Sequence, residues 1–293
     1  EAGMLDALTQ AGFQFKDGAY FTLDQQESII EFSEKYTDAY SSTFQVNRAV
    51  FDQLLINQAE KKGAEVLYQQ EVVSVDFSQE KPQVTIQDHS GEQQTLEARF
   101  VLDASGYGRV LPRLLNLEKE SPLKARQALF THMQGDQRSR QLEEDKILIG
   151  IHPQNQEVWY WAIPFPDGRT SLGVIAPPEF MKNYSADPTE ALMQLINEEP
   201  SVKRRLSEAS MLFAPKSITQ YSAAVTQLFG QNYALLGNAA EFLDPVFSSG
   251  VCIAMKSASL ATAQVIKELN GENADWQKDF ADELLSGVEV FRA

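Results

Sequence analysis

Two short segments constrain the fold of this chain more than any others. In "RFVLDASGYG" residues 100–102 are wholly apolar, stop at Asp103 and open into small residues. "YALLGNAAEFLDPVFSSG", residues 233–250, does the same after Leu235 and Leu236. An uninterrupted apolar run suits a strand buried on both faces, and small residues at its carboxyl end let the backbone approach a ligand. Between the two, "ARQALFTHM", "KILIGIH", "EVWYWAIP" and "RTSLGVIA" alternate polar with apolar residues across 125–176. That period, punctuated by Pro and Gly, predicts an antiparallel sheet. The order predicts an α/β (α+β) protein: a discontinuous three-layer domain carrying an antiparallel-sheet substrate domain as an insertion. The expected boundaries are 1–123, 124–225 and 226–293.

The remaining elements fit around this frame. Residues 19–23 and 28–32 read as a strand pair. Residues 45–63 read as an amphipathic helix, with Val50, Phe51, Leu54, Leu55 and Ala59 at helical spacing and Gly63 as the stop. Alternating strands follow, broken by a turn at Ser90-Gly91. Residues 189–207 read as helical and 217–225 as a strand. Residues 251–269 form a helix rich in Ala, Ser and Met.

Composition removes several function classes. A formal charge of −16 over 293 residues argues against nucleic acid or an anionic membrane as partner. No run of about 18 apolar residues exists, so no spanning helix is expected. The first ten residues lack signal-peptide character and Cys252 is the only cysteine, which together predict the cytoplasm. His89, His132 and His152 have no metal-ligand spacing, so no metal is expected. The basic groups Arg109/Arg113/Lys124/Arg126 and Lys203-Arg204-Arg205 read first as solvated faces, and second as docking points for an acidic carrier protein.

The run "LLGNAAEFLDPVFSSGV" resembles the second flavin-binding motif of the flavoprotein monooxygenase superfamily, and "VLDASGYG" its middle motif. "QVNRAVFDQLL" is similar to the segment around an arginine near the FAD pyrophosphate. Within the superfamily, "DPVFSSGV", the WxWxIP pattern and Lys16 in "GFQFKDGAYF" resemble the flavin-dependent halogenases, the tryptophan halogenase-like branch. The resemblance runs from Gly3 to about Phe291.

It implies a chemistry. In that family reduced FAD (FADH2) reacts with O2 to a flavin hydroperoxide. Chloride or bromide attacks it, and the hypohalous acid travels to a lysine beside an electron-rich aromatic. Lys16 would be that catalytic lysine; read by itself it is a surface lysine on a hairpin. An ammonium offers a point charge and three donors to hold hypohalous acid, and burial would ease its deprotonation. Phe13, Phe15, Tyr20 and Phe21 suggest an aromatic-lined setting for it. Trp159, Trp161, Ile163 and Pro164 would be a partition between flavin and substrate, whereas by themselves the tryptophans read as core. Ser248, Ser249 and Gly250 would bind halide with backbone amides at a helix start. Gln45 and Arg48 would reach the pyrophosphate, Val72 the adenine, Asn238 the ribityl chain and Pro245 the isoalloxazine. Asp103, Gly106, Gly237, Asp244 and Val251 complete the implied cofactor residues within the same motifs.

Departures narrow the substrate. Asn238 stands where the motif usually has Asp, and Val158 where a Gly precedes WxWxIP. Phe247 stands where halogenases of free tryptophan carry Glu, which favours a phenol or pyrrole, either as a small molecule or tethered to an acyl or peptidyl carrier protein. No GxGxxG occurs, so the first βαβ unit of the FAD domain is expected to be missing. A separate flavin reductase is the implied partner, since no nicotinamide site is recognisable. Two alternatives stay open: a related FAD-dependent hydroxylase or reductase, and a catalytically silent binding protein.

Overall fold

The computed structural model describes residues 3–24, 26–139, 145–219, 223–243 and 245–292. Two compact units emerge, Glu1–Val66 with Ala125–Gln220, and Leu67–Lys124 with Tyr221–Ala293. The segment before residue 67 thus falls in one unit with the large sheet, to which it contributes two strands, and apart from residues 67–124 with which it was expected to form one domain.

Hydrogen bonding explains that reassignment. The first unit is built on an eight-stranded sheet in the order Ser210–Met211, Gln127–Gln134, Arg169–Ala176, Trp159–Pro164, Lys146–Ile151, Gly18–Leu23, Gln26–Glu31, with Lys216–Thr219 also on Gln127–Gln134. The four strands expected between 125 and 176 are present and antiparallel. The expected pair near residues 19–32 also forms, as Gly18–Leu23 against Gln26–Glu31. It then adds to the sheet through a parallel pairing of Gly18–Leu23 with Lys146–Ile151.

Period two divides this sheet into unlike faces. Tyr20, Leu129, Met133, Leu148, Tyr160, Ala162, Leu172 and Val174 pack against Leu192, Leu195, Ile196 and Val202 of the helices Pro188–Glu198 and Pro200–Arg205. Both helices start with proline, and Asp187 and Glu199 cap them by accepting backbone N–H bonds. The opposite parity places Ala19, Phe130, Ile147, Ile149, Trp159, Trp161, Gly173 and Ile175 on the other face.

In the second unit, Val101–Asp103 and Tyr233–Leu235 lie parallel and adjacent, in register from Val101/Tyr233 to Asp103/Leu235. Leu235, Ala234, Ile253, Ala261 and Phe280 are buried around them. Glu71–Asp76, Gln83–Gln87 and Gln93–Glu97 form an antiparallel meander, turning at Asp88 to Glu92. The strand expected over 217–225 divides between the units. Lys216–Thr219 pairs with Gln127–Gln134, and Ala224–Val225 pairs with Glu118–Lys119.

The helix Arg48–Lys61 has no fully buried residue. Val50 is exposed while Phe51, Leu54, Leu55 and Ala59 are half-buried, so its apolar stripe is only partly covered.

Candidate active site

Lys16 ends the short strand Gln14–Lys16, which pairs with Thr43–Gln45 in the register Lys16/Thr43 and Gln14/Gln45. Its Nζ stands 5.6 Å from the centre of the Phe32 ring, a cation–π contact. The residue is half-buried rather than solvated. The aromatic neighbours expected from the sequence are placed elsewhere. Phe15 is 45% exposed, Phe13 meets Phe51 edge-on at 6.2 Å, and Tyr20 lies in the helix-side core. Phe32, eleven residues past the last of them, takes the part they were expected to play.

The strand partner carries a second signal. Gln45 is 4% exposed, and neither its amide nitrogen nor its amide oxygen meets a hydrogen-bond partner among the described residues. A buried unpaired amide costs roughly 1–3 kcal/mol. Arg48, by contrast, is exposed and holds a bidentate pair with Asp52, both contacts at 2.9 Å.

Trp159, Trp161 and Ile163 share the sheet face away from the helices, with the two indoles 6.0 Å apart at 52°. Tyr160, Ala162 and Pro164 are buried on the opposite side. Trp159 is 9% exposed and Trp161 half-buried. The Trp161 indole lies flat over Gly173, its register partner: a Cβ on Gly173 would fall 2.2 Å from the ring. Its Nε1 donates to Ser171 Oγ at 3.1 Å, and Phe130 adds a ring at 6.3 Å. The Trp161 indole is therefore held by the space over Gly173 and by a hydroxyl, whereas Trp159 stands in register with Ile151 and Ile175.

In the second unit the two parallel strands end together. Asp103 is buried, and its carboxylate accepts N–H bonds from Ser105 and Leu111, both at 2.7 Å. Its work is to hold the Ser105–Arg109 turn, in which Gly106 has φ +60°. Gly237 has φ +51°, donates its N–H to Ser257 Oγ at 3.0 Å, and faces Ala254, whose Cβ would lie 2.9 Å from an added Cβ. This glycine lets the loop meet the helix Gly250–Leu269. Asn238 and Pro245 are half-buried beside it in sequence, while Asp244 lies outside the described residues. Ser248 is exposed with φ +55°, and Ser249 is buried without capping the helix by its side chain. Gly250 opens that helix and Val251 follows, half-buried; a Cβ on Gly250 would meet nothing within 4 Å. Val72 is half-buried at a bulge in Glu71–Asp76.

Arg113, Lys124, Lys203 and Arg204 are exposed, as expected of solvated faces, but Arg109 and Arg205 are not. Arg109 is 7% exposed, donating to Glu118 at 2.8 Å and to the Ala224 carbonyl at 3.0 Å. Arg205 is fully buried and paired with Asp136, which also accepts from Thr170 Oγ1 at 2.6 Å. Among the described residues no cluster of His, Cys, Asp or Glu suits a metal ion, and no helix is long and apolar enough to cross a membrane.

A mixed α/β fold whose parallel strand pair ends in small-residue loops is compatible with a nucleotide cofactor at those strand ends. The family model for tryptophan halogenase matches residues 19–281, and the chain belongs to that family. It is 28% identical, over 95% of its length, to the 1H-pyrrole-2-carbonyl-[peptidyl-carrier protein] chlorinase of Pseudomonas fluorescens. It is also 28% identical, over 92% of its length, to tryptophan 2-halogenase of Chondromyces crocatus. The chain spans 66% and 52% of the lengths of these relatives. Among solved structures, a flavoprotein/dehydrogenase from Cytophaga hutchinsonii superposes with a TM-score of 0.95 at 36% identity, covering 99% of this chain and 71% of that one.

Proposed function

We propose that this protein halogenates an electron-rich aromatic, a phenol or pyrrole, with Lys16 as the catalytic residue. The observation that carries the reading is the half-buried Lys16 ammonium, held over Phe32 in the same compact unit as the Trp159–Pro164 strand. FAD in its reduced form supplies, with O2, the oxidising power that turns chloride or bromide into hypohalous acid.

The residues present fit that group. Gln45 offers a buried donor and acceptor that no other described residue uses. Gly250 has no neighbour that demands a glycine, as expected where a ligand comes close. By the family resemblance, Gln45 and Arg48 in the first unit are offered for the pyrophosphate, and in the second unit Val72 for the adenine, Asn238 for the ribityl chain and Pro245 for the isoalloxazine, with Val251 among the cofactor residues. Ser248, Ser249 and Gly250 would hold halide through backbone amides. Asp103, Gly106 and Gly237 support these loops by the contacts they make inside the protein. Arg48 would exchange Asp52 for phosphate, a modest loss for an exposed i,i+4 pair.

Lys16 Nζ donates to the hypohalous oxygen, which polarises the O–X bond and fixes the halogen beside the ring to be attacked. The indoles of Trp159 and Trp161 wall off the aromatic, so oxygen is not passed to it directly. The pyrrole carrier-protein chlorinase among the relatives supports a tethered pyrrole as one substrate form. Phe247, in place of a glutamate, supports a substrate other than free tryptophan.

The test is made on the full-length protein with FAD, a separate flavin reductase, chloride or bromide, and resorcinol as probe. Lys16→Ala should lose halogenation by about 10²–10⁴-fold while reduced flavin is still consumed. Wild-type halogenation by Lys16→Ala would sink the reading. The similarity to a flavoprotein/dehydrogenase favours a second one, an FAD-dependent hydroxylase or reductase, for which Lys16→Ala leaves product formation intact.

A further inference from the structure

Lys16, Asp17 and Gly18 are consecutive, and only the first has been given a part in the chemistry. Lys146 lies opposite Gly18 in the parallel pairing, and Glu31 lies opposite Gly18 on its other side. A side chain from the first of these strands must cross the middle one to reach the third. Gly18 allows the crossing: a Cβ there would meet the Ile30 carbonyl oxygen at 2.3 Å and Lys146 Cε at 3.1 Å. The Lys146 ammonium, on a residue 8% exposed, reaches Asp17 Oδ1 at 2.9 Å and Glu31 Oε1 at 3.2 Å. Burial opposes its charge, but the hydrogen bonds to Asp17 and Glu31 hold it above the ordinary lysine value.

The backbone at Asp17 is fixed as well. Its N–H donates to the Asp145 carbonyl at 3.1 Å, and its own carbonyl accepts from Phe32 N–H at 2.8 Å. Gln14 Nε2 donates to Asp145 Oδ1 at 2.8 Å, tying in the strand that carries Lys16. Asp17, beside Lys16, is therefore bonded to the backbone of Phe32, whose ring lies under the Lys16 ammonium, and to Lys146.

We propose that Lys146 is the positioning residue for Lys16: by clamping Asp17 and Glu31 across Gly18, it fixes both the backbone that presents Lys16 and the Phe32 ring below it. This rests on the catalytic role proposed for Lys16. One lysine is spent on geometry so that another is held ready for chemistry. A misplacement of about 1 Å in such a group costs on the order of 100-fold in rate.

The experiment compares Lys146→Met with Lys267→Met, which removes a 2.8 Å ion pair to Asp279 in the other unit. The full-length protein is assayed with FAD, a flavin reductase, chloride and resorcinol. Halogenated product per reduced flavin oxidised is measured, with taurine present to trap escaping hypohalous acid. Separately, the ligand-free protein is treated with an amine-reactive ester, and labelling of Lys16 is followed by peptide mass. Lys146→Met should lower product per flavin by about 10- to 100-fold, raise trapped hypohalous acid and speed Lys16 labelling several-fold. Lys267→Met should change neither readout. Asp17→Asn should shift both in the same direction, and it stands in if Lys146→Met does not fold. Wild-type values of both readouts in a folded Lys146→Met or Asp17→Asn overturn the proposal. If the wild type yields neither product nor trapped hypohalous acid, the role of Lys16 falls instead, and the labelling comparison alone decides whether Lys146 positions it.

Discussion

The two faces of the large sheet are filled by opposite means. On the helix side, aliphatic side chains interlock around Tyr160, and buried polar side chains there meet one another in pairs. Asp136 with Arg205, Glu199 with Thr22 and the Val202 amide, and His152 with Glu198 all lie on that side. On the other side, the Trp161 indole fills the space over Gly173 and donates to Ser171, beside Trp159 and the buried Ile147, Ile149 and Ile175. The helix face is locked by buried polar pairs, while the tryptophan face depends on one glycine that admits a ring. The difference teaches that burial alone does not assign a role: Tyr160 and Trp159 are adjacent and both buried, yet serve different surfaces.

The comparison breaks first at the buried pair. Asp136→Ala strands the Arg205 guanidinium in the interior and should cost about 3–5 kcal/mol, measured by urea unfolding. An effect below about 1 kcal/mol would mean that the helix face is not held by that pair. Gly173→Ala strikes the other face. The added methyl collides with the Trp161 indole, with an expected loss of about 1–3 kcal/mol and a shift in tryptophan fluorescence. Under the proposed function it should also divert oxidant from halogenated to non-halogenated product. A stability loss with an unchanged product ratio would reduce Trp161 to packing. Tyr160→Phe removes only the hydroxyl bond to the Leu195 carbonyl and should cost about 1 kcal/mol by the same denaturation.

The smallest effect is a slope with pH. Burial holds the Glu199 carboxyl above the ordinary glutamate value, partly offset by bonds from Val202 and Thr22. A raised folded-state pKa means that the native chain binds the proton more tightly than the unfolded one. Its contribution is fully present below the unfolded value and is lost as pH rises through the folded one. The stability of the wild type relative to Glu199→Gln should therefore fall as pH increases from the acid side. A rising difference would place the shift in the other direction.

Local pattern made much of this fold legible. Strict alternation named the four strands between 125 and 176, and the apolar runs before Asp103 and Gly237 named the parallel pair. The catalytic role proposed for Lys16 rests on family resemblance, since local pattern by itself reads a surface lysine on a hairpin. What escaped depends on contacts distant in sequence. Asp17 and Lys146 are 129 positions apart, so no window sees their pairing. The parallel addition of Gly18–Leu23 to the sheet escaped for the same reason. Arg109 and Arg205 read as surface charges because periodicity weighs residue type, whereas their burial depends on Glu118 and Asp136 arriving from elsewhere. One local signal was available and unread: a glycine directly after Lys-Asp, in a strand, asks what passes over it.

The unpaired amide of Gln45 has a thermodynamic consequence. A group that is desolvated by folding and satisfied only by a ligand makes the empty protein less stable than its packing permits. The same amount then returns as affinity when a ligand pairs with both amide atoms. Under the cofactor role proposed for Gln45, replacing it with an apolar residue of similar size would move that free energy from recognition into stability, leaving a sturdier chain with a weaker hold on the cofactor.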